Sequence, residues 1–321
     1  MNKYMKKKII VSAPMDFVKI ESTIPDNYEL IFNTIENISA INKIEDKDMV
    51  AAWIVSPCPK YQVSAEVLDN FKNIKCVVTP STGVDHINVL DIESQGIKVL
   101  SLRHSPKYFS ISASSEYTFS LMLSLLRNIP KAVSYPINGK WRESEKDLRA
   151  KEVMGLKIGI IGFGRIGQNV GRYSTAMGAI VKYYDPYVTH EDYERVGELK
   201  DLFTNSDMIL VCPVLTTETK NLINKDILKY SKNDQLIVNT SRGEVVNEND
   251  IVSAVNSGII YGYACDVLCG EISGEWTKSP ILELVRSGKN VLVSPHIAGL
   301  TYDSESKAQN ISINLAVENS I

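Results

Sequence analysis

Lys157-Ile158-Gly159-Ile160-Ile161-Gly162-Phe163-Gly164-Arg165-Ile166-Gly167 decides the reading of this chain. Three isoleucines in its first five residues have the character of a buried strand. A GxGxxG follows with no residue between, and a helix-like run continues to Met177. Alone, six residues with three glycines are a weak signal. Placed after a strand and before a helix, they read as the phosphate-binding turn of a βαβ unit. Gly162 permits the tight turn, Gly164 lets backbone N–H groups approach a pyrophosphate, and Gly167 allows the helix to close on the strand. Arg165 and Ile166 open that helix, whose N-terminus turns partial positive charge toward the anion. The next strand, Val181-Lys182-Tyr183-Tyr184-Asp185, ends in a carboxylate 18 positions after Gly167. An acid there accepts hydrogen bonds from the adenosine ribose and repels a 2′-phosphate. Pro186 and Tyr187 come next, so no arginine or lysine adjoins it in sequence, and NAD is expected over NADP.

Working outward, short β-branched runs alternate with helix-length segments, the mark of parallel α/β layers. From residue 157 the candidate strands are 157–162, 181–185, 208–212, 235–240, 261–267 and 290–294, enough for a complete dinucleotide-binding sheet. Upstream, 9–12, 29–32, 50–56, 74–79 and 98–102 form a second series of nearly continuous apolar runs, as strands covered on both faces should. Residues 113–129 are apolar around most of a helix, which predicts burial between domains or against a second subunit. Residues 138–151 are polar, and the tail from Thr301 is helical without a strand partner.

The 321 residues, 44% of them hydrophobic, suffice for two domains with separate cores. A net charge of −3 gives no general attraction to nucleic acid or anionic lipid, and Lys6-Lys7-Lys8 is a solvated approach to a strand. No apolar stretch has the length of a membrane helix, and the run at Ile9–Ala13, broken by Pro14 and Asp16, is too short for a signal peptide. The five cysteines (Cys58, Cys76, Cys212, Cys265, Cys269) form no CxxC and no disulfide framework. Inert thiols, no metal and a reducing, cytoplasmic address are expected.

Three polar residues lie just past predicted strand ends, the edge at which open α/β sheets bind ligands. Arg242, in Asn239-Thr240-Ser241-Arg242-Gly243, offers a permanently charged planar fork for a carboxylate. His296, in Ser294-Pro295-His296-Ile297-Ala298, is the usual residue type for proton transfer near neutral pH. Glu271, after the strand ending near Asp266, is a candidate to pair with that imidazole, favouring its protonated form and fixing its tautomer.

With these segments in view, the chain resembles the D-isomer-specific 2-hydroxyacid dehydrogenases over nearly its whole length. The resemblance rests on Ser81-Thr82-Gly83-Val84-Asp85-His86-Ile87, the helix from Ser115-Glu116-Tyr117 to Arg127, Gly139-Lys140-Trp141, the glycine turn with Tyr184-Asp185-Pro186, Asn239–Gly243, Ala264-Cys265-Asp266-Val267 and Pro295–Ala298. It implies two Rossmann-like or flavodoxin-like domains with parallel sheets. The nucleotide domain (106–299) would be inserted into a substrate domain formed by 1–105 and 300–321. It implies NAD as cofactor and a small 2-keto or 2-hydroxy acid as substrate, in a homodimer. Arg242 would bind the substrate carboxyl and keto oxygen, His296 would be the acid/base and Glu271 its partner. Asp266 would hold the nicotinamide carboxamide, Thr240 and Ser241 would adjoin the cofactor, and the backbone of Ser81, Thr82 and Gly83 would hold the substrate carboxylate.

The sequence also departs from the family pattern. Glu271-Ile272-Ser273-Gly274-Glu275-Trp276 lacks the usual proline, which makes Glu275 a rival for the pairing role. Cys212-Pro213-Val214-Leu215-Thr216 has cysteine where relatives carry histidine, and Leu102 to Phe109 differs at the crossover between domains. In Ser56-Pro57-Cys58-Pro59-Lys60-Tyr61, Lys60 is a candidate for a second anionic group of the substrate, and a solvent-facing lysine is the alternative; His104 is either a pocket residue or a hydrogen bonder of the crossover. Two other functions stay open: a dehydrogenase for a phosphorylated or sugar-derived 2-hydroxy acid, and an NAD(H)-sensing interaction protein on the same fold.

Overall fold

The computed structural model describes residues 6–13, 15, 17–35, 37–57 and 59–321; Pro14, Asp16 and Cys58 lie outside the described residues. The chain divides into two compact units, Met1–Ile111 with Leu300–Ile321, and Ser112–Gly299.

In the first unit, strands β1 (Lys7–Val11), β2 (Tyr28–Phe32), β3 (Val50–Ile54), β4 (Cys76–Thr79) and β5 (Lys98–Ser101) form a parallel sheet in the order β2-β1-β3-β4-β5. Successive side chains alternate between its faces. Ile10, Trp53, Val77 and Val99 enter one core, while Ile9, Val11, Ala52, Ile54 and Val78 enter another. The second core is closed by Ala308, Ile311 and Leu315 of the helix Tyr302–Asn319. Thr301 caps that helix, its hydroxyl accepting from Ser304 N at 3.1 Å. The first segment continues through Ile111 instead of stopping at residue 105. Its 3-10 turn Pro106–Ser110 is tied to the returning helix by Lys307 Nζ donating to Ser110 O at 3.1 Å.

The second unit holds β6 (Lys157–Ile161), β7 (Ile180–Tyr184), β8 (Glu194–Arg195), β9 (Met208–Val211), β10 (Leu236–Asn239), β11 (Gly262–Cys265) and β12 (Val291–Val293). They form one parallel sheet in the order β12-β11-β10-β9-β6-β7-β8. The strand order reverses beside β6, which puts the glycine turn at the topological switch point. The sheet has one strand more than expected, because Glu194–Arg195 is two exposed polar residues with no apolar pattern to betray it.

The expected 113–129 helix ends early. It spans Ala113–Leu126, Asn128 takes the left-handed conformation at φ +52°, and a second helix covers Ile129–Ile137. Pro130 has no N–H to give the carbonyl of Leu126, so one helix cannot run through, and asparagine tolerates the left-handed break. Leu121, Met122, Leu125 and Leu126 pack with Ile158, Met208, Leu210 and Val238 in the core of their own unit. Tyr117, Phe119 and Leu123 of the same helix are only partly buried. Among the described residues, no helix is long and apolar enough to cross a membrane.

Candidate active site

The glycine turn is built by close approaches. Gly162 has φ +81°, and a Cβ there would lie 2.6 Å from Pro213 Cα. A Cβ on Gly167 would collide with the carbonyl of Gly162. Phe163 is buried face-to-face on Tyr183, ring centroids 4.0 Å apart, which anchors the turn from below. Gly164 is the opposite case: nothing lies within 4 Å of the position its Cβ would take. That open space stands over the first turn of the helix Arg165–Ala176, which carries no acidic residue and no side-chain cap. First-turn amides lack intrahelical acceptors, so these residues fit the pyrophosphate of a dinucleotide.

Asp185 follows β7 directly. Its Oδ2 accepts from Phe163 N at 2.7 Å, and Oδ1 accepts from Tyr187 N and Val188 N at 2.8 and 3.0 Å. The carboxylate thus holds the 186–188 turn to the glycine turn. The fold also brings a base to this corner that sequence adjacency did not reveal: Arg195 of β8 donates to Pro186 O at 3.0 Å.

Three further strand ends carry the other candidates. After β10, Asn239 Oδ1 accepts from Ser241 N at 3.0 Å and its Nδ2 donates to Arg242 O at 2.9 Å. Thr240 bonds Thr118 at 2.7 Å, and Ser241 Oγ donates to the carbonyl of Pro213. Arg242 leaves this turn extended and half-buried, Nη1 donating to Ser241 O at 2.8 Å. A Cβ on Gly243 would collide with the backbone of Leu268 and Cys269. The glycine thereby lets the Arg242 turn lie directly against the loop that carries Glu271.

In that loop Glu271, not Glu275, is hydrogen-bonded to His296, through Oε2 and Nδ1. Glu275 instead pairs with Lys278 at 3.4 Å. His296 has φ +55°, a conformation costing a non-glycine residue about 1–2 kcal/mol. Asp266, only 1% exposed, holds it there. Its carbonyl accepts from His296 N at 2.8 Å, Oδ1 accepts from Ser294 Oγ and Ile297 N, and Oδ2 accepts from Ala298 N at 2.7 Å. The sequence reading had not anticipated this clamp.

Two glutamates had also been missed. Glu271 Oε1 accepts from Leu268 N at 2.8 Å, Glu248 Oε1 from Cys269 N at 2.8 Å, and Glu244 Oε1 from Gly270 N at 3.1 Å. Burial, followed by Glu248 and Glu244, pushes the Cys269 thiol up to about 12, and burial pushes the Cys212 thiol to about 12. Neither is a thiolate near neutral pH.

In the first unit, Ser81-Thr82-Gly83 follows β4. Ser81 Oγ donates to Gly83 O at 2.6 Å and so accepts from Thr79 Oγ1 at 2.9 Å; Thr79 Oγ1 in turn accepts from the buried His86 Nε2 at 3.1 Å. A directed chain of hydrogen bonds thus braces the loop. His104 Nδ1 accepts from Ser101 N at 3.0 Å, closing the 3-10 turn Leu102–His104. Lys60 is exposed, and Tyr61 donates to Ile35 O at 3.1 Å.

Two family models match: the D-isomer specific 2-hydroxyacid dehydrogenase NAD binding domain over residues 119–298, and the catalytic domain of the same group over residues 17–200. This chain belongs to the D-isomer specific 2-hydroxyacid dehydrogenase family. It is an NAD-dependent oxidoreductase. It is 32% identical to a hydroxypyruvate reductase of Thermotoga maritima, over 76% of this chain and 77% of that protein. It is 30% identical to a D-3-phosphoglycerate dehydrogenase of Methanocaldococcus jannaschii, over 95% of this chain but 56% of that protein, so it spans about half the length of that relative. In fold it matches a solved D-2-hydroxyisocaproate dehydrogenase with a TM-score of 0.79 and 23% identity, covering 97% of this chain and 96% of the other.

Proposed function

We propose that this dehydrogenase interconverts a small 2-keto acid and its D-2-hydroxy acid. The observation that carries the proposal is the His296–Glu271 pair at the carboxyl edge of the sheet that bears the glycine turn, with Arg242 on a turn packed against the Glu271 loop. The Gly162–Gly167 turn and Asp185 hold the dinucleotide, which supplies or accepts the hydride. Arg242 binds the substrate carboxylate and polarises the carbonyl oxygen. Glu271 occupies Nδ1 of His296, which leaves Nε2 to give the alcohol its proton in reduction and to take it in oxidation. Reduction therefore uses the ring as proton donor, and oxidation uses it as proton acceptor.

Hydroxypyruvate, named for the Thermotoga maritima relative, heads the test panel. Turnover of NADH with hydroxypyruvate, pyruvate, longer 2-keto acids and a phosphorylated 2-keto acid ranks the substrates. NADH binding without turnover of any panel member would favour a sensing role and defeat the proposal.

The functional protein is a homodimer, joined through the apolar helix Ala113–Leu126 and the helix Ile129–Ile137 that continues it. Val133 and Ile137 lie four residues apart on the Ile129–Ile137 helix and are 57% and 79% exposed, and Trp141 beyond it is 71% exposed. Exposed apolar clusters of this kind mark interfaces.

A further inference from the structure

We propose that Glu244 and Glu248 are positioning residues for the acid/base pair, holding the Leu268–Glu271 turn so that Glu271 meets Nδ1 of His296. The inference rests on the acid/base reading above.

Three consecutive amides, Leu268, Cys269 and Gly270, each donate to a different glutamate. Neutral acceptors would satisfy such amides, and gathering three carboxylates around a partly buried turn is costly unless the charge has a use. Glu248 is a buried residue at the start of the helix Glu248–Ser257, and its second oxygen accepts from Ser279 Oγ at 2.7 Å. It therefore ties that helix, the turn and the segment entering the next helix to one another. Glu244 belongs to the 3-10 turn Gly243–Val245 that begins at Arg242. One short segment thus places the guanidinium with Arg242, abuts the Leu268–Cys269 backbone with Gly243, and grips Gly270 with Glu244. Arg242 and Glu271 are held in mutual register by backbone contact on one side and a carboxylate on the other.

The charged and titratable groups about the turn are Glu244, Glu248, Glu271, Asp266 and Cys269, with Arg242 across Gly243. Each glutamate thus gives the turn an acceptor oxygen, and that oxygen orients Glu271.

Glutamine and alanine substitutions test that role. Glu248→Gln and Glu244→Gln keep an acceptor for the amide, and each should hold keto-acid kcat within about threefold. Glu248→Ala and Glu244→Ala remove the acceptor, and kcat should fall about tenfold or more with NADH affinity and KM nearly unchanged. NADH binding by fluorescence serves as the folding control. If Glu248→Ala loses it, the more exposed Glu244 pair of variants decides. Wild-type kcat in both Glu244→Ala and Glu248→Ala would overturn the inference. His296→Asn and Glu271→Gln are measured beside them. If those two lose turnover while the others do not, only the positioning role fails; if they keep it, the acid/base reading fails as well.

Discussion

Arg242 is the side chain whose replacement should be least tolerated. Lysine preserves the charge but offers one ammonium in place of a planar fork. Leaving a desolvated carboxylate with an imperfect partner costs on the order of 2–5 kcal/mol. Part of this belongs to kcat, because charge on the carbonyl oxygen grows toward the transition state. Arg242→Lys should lower kcat/KM by about 30-fold or more with NADH affinity little changed, and near-normal turnover would remove Arg242 from the mechanism. Asp185 calls for a two-part expectation. Its charge opposes a 2′-phosphate, yet it also accepts from three amides. Asp185→Ser should raise NADPH efficiency relative to NADH by about tenfold or more, helped by Arg195 at the Pro186 carbonyl. It should also lower Tm, at about 2–4 °C per kcal/mol lost. Equal efficiency with both cofactors in the unsubstituted enzyme would contradict the assignment.

Gly243 tests how turns are fitted together. Alanine there would force the Arg242 turn away from Leu268 and Cys269, and overpacking of this sort costs about 1–3 kcal/mol. Gly243→Ala should depress kcat/KM at least tenfold while the protein still folds and binds NADH; unchanged kinetics would show that the approach is not required. Gly243 belongs to the Asn239–Gly243 segment of the family resemblance, but the close approach that requires it is not visible in the sequence. The longer strands announced themselves because each is a bounded apolar run in a two-sided sheet. Arg242, Glu271 and His296 stand out as candidates because ligands of this architecture bind at strand ends. Glu244 and Glu248 do not, since a glutamate in sequence looks solvated and their partners are amides 21 or more residues further on. The left-handed His296 backbone was equally hidden: it depends on Asp266, contributed by another strand end. The split at Asn128 could have been found from Pro130 alone, by counting back four residues to the carbonyl left without a donor.

For the assembled protein, Val133→Asp or Ile137→Asp places a charge in the proposed subunit contact. Light scattering at micromolar concentration should report a dimer for the unsubstituted protein and a monomer for these variants. A monomer in both cases would refute the association. The returning helix Tyr302–Asn319 has a different consequence, in the order of synthesis. It completes the core of a sheet whose strands all precede residue 112. Between them the ribosome must make the Ser112–Gly299 unit, which takes about 10–40 s at about 5–20 residues per second. During that interval Ile9, Val11, Ala52, Ile54 and Val78 lack their covering partners Ala308, Ile311 and Leu315. Pulse proteolysis of stalled nascent chains should find the first segment cleavable until the helix Tyr302–Asn319 has cleared the exit tunnel, long after the dinucleotide-binding segment has become resistant. The enzyme's first-made sheet is thus the last to mature, and its dependence on chaperones should be set by translation speed through a segment to which it does not belong.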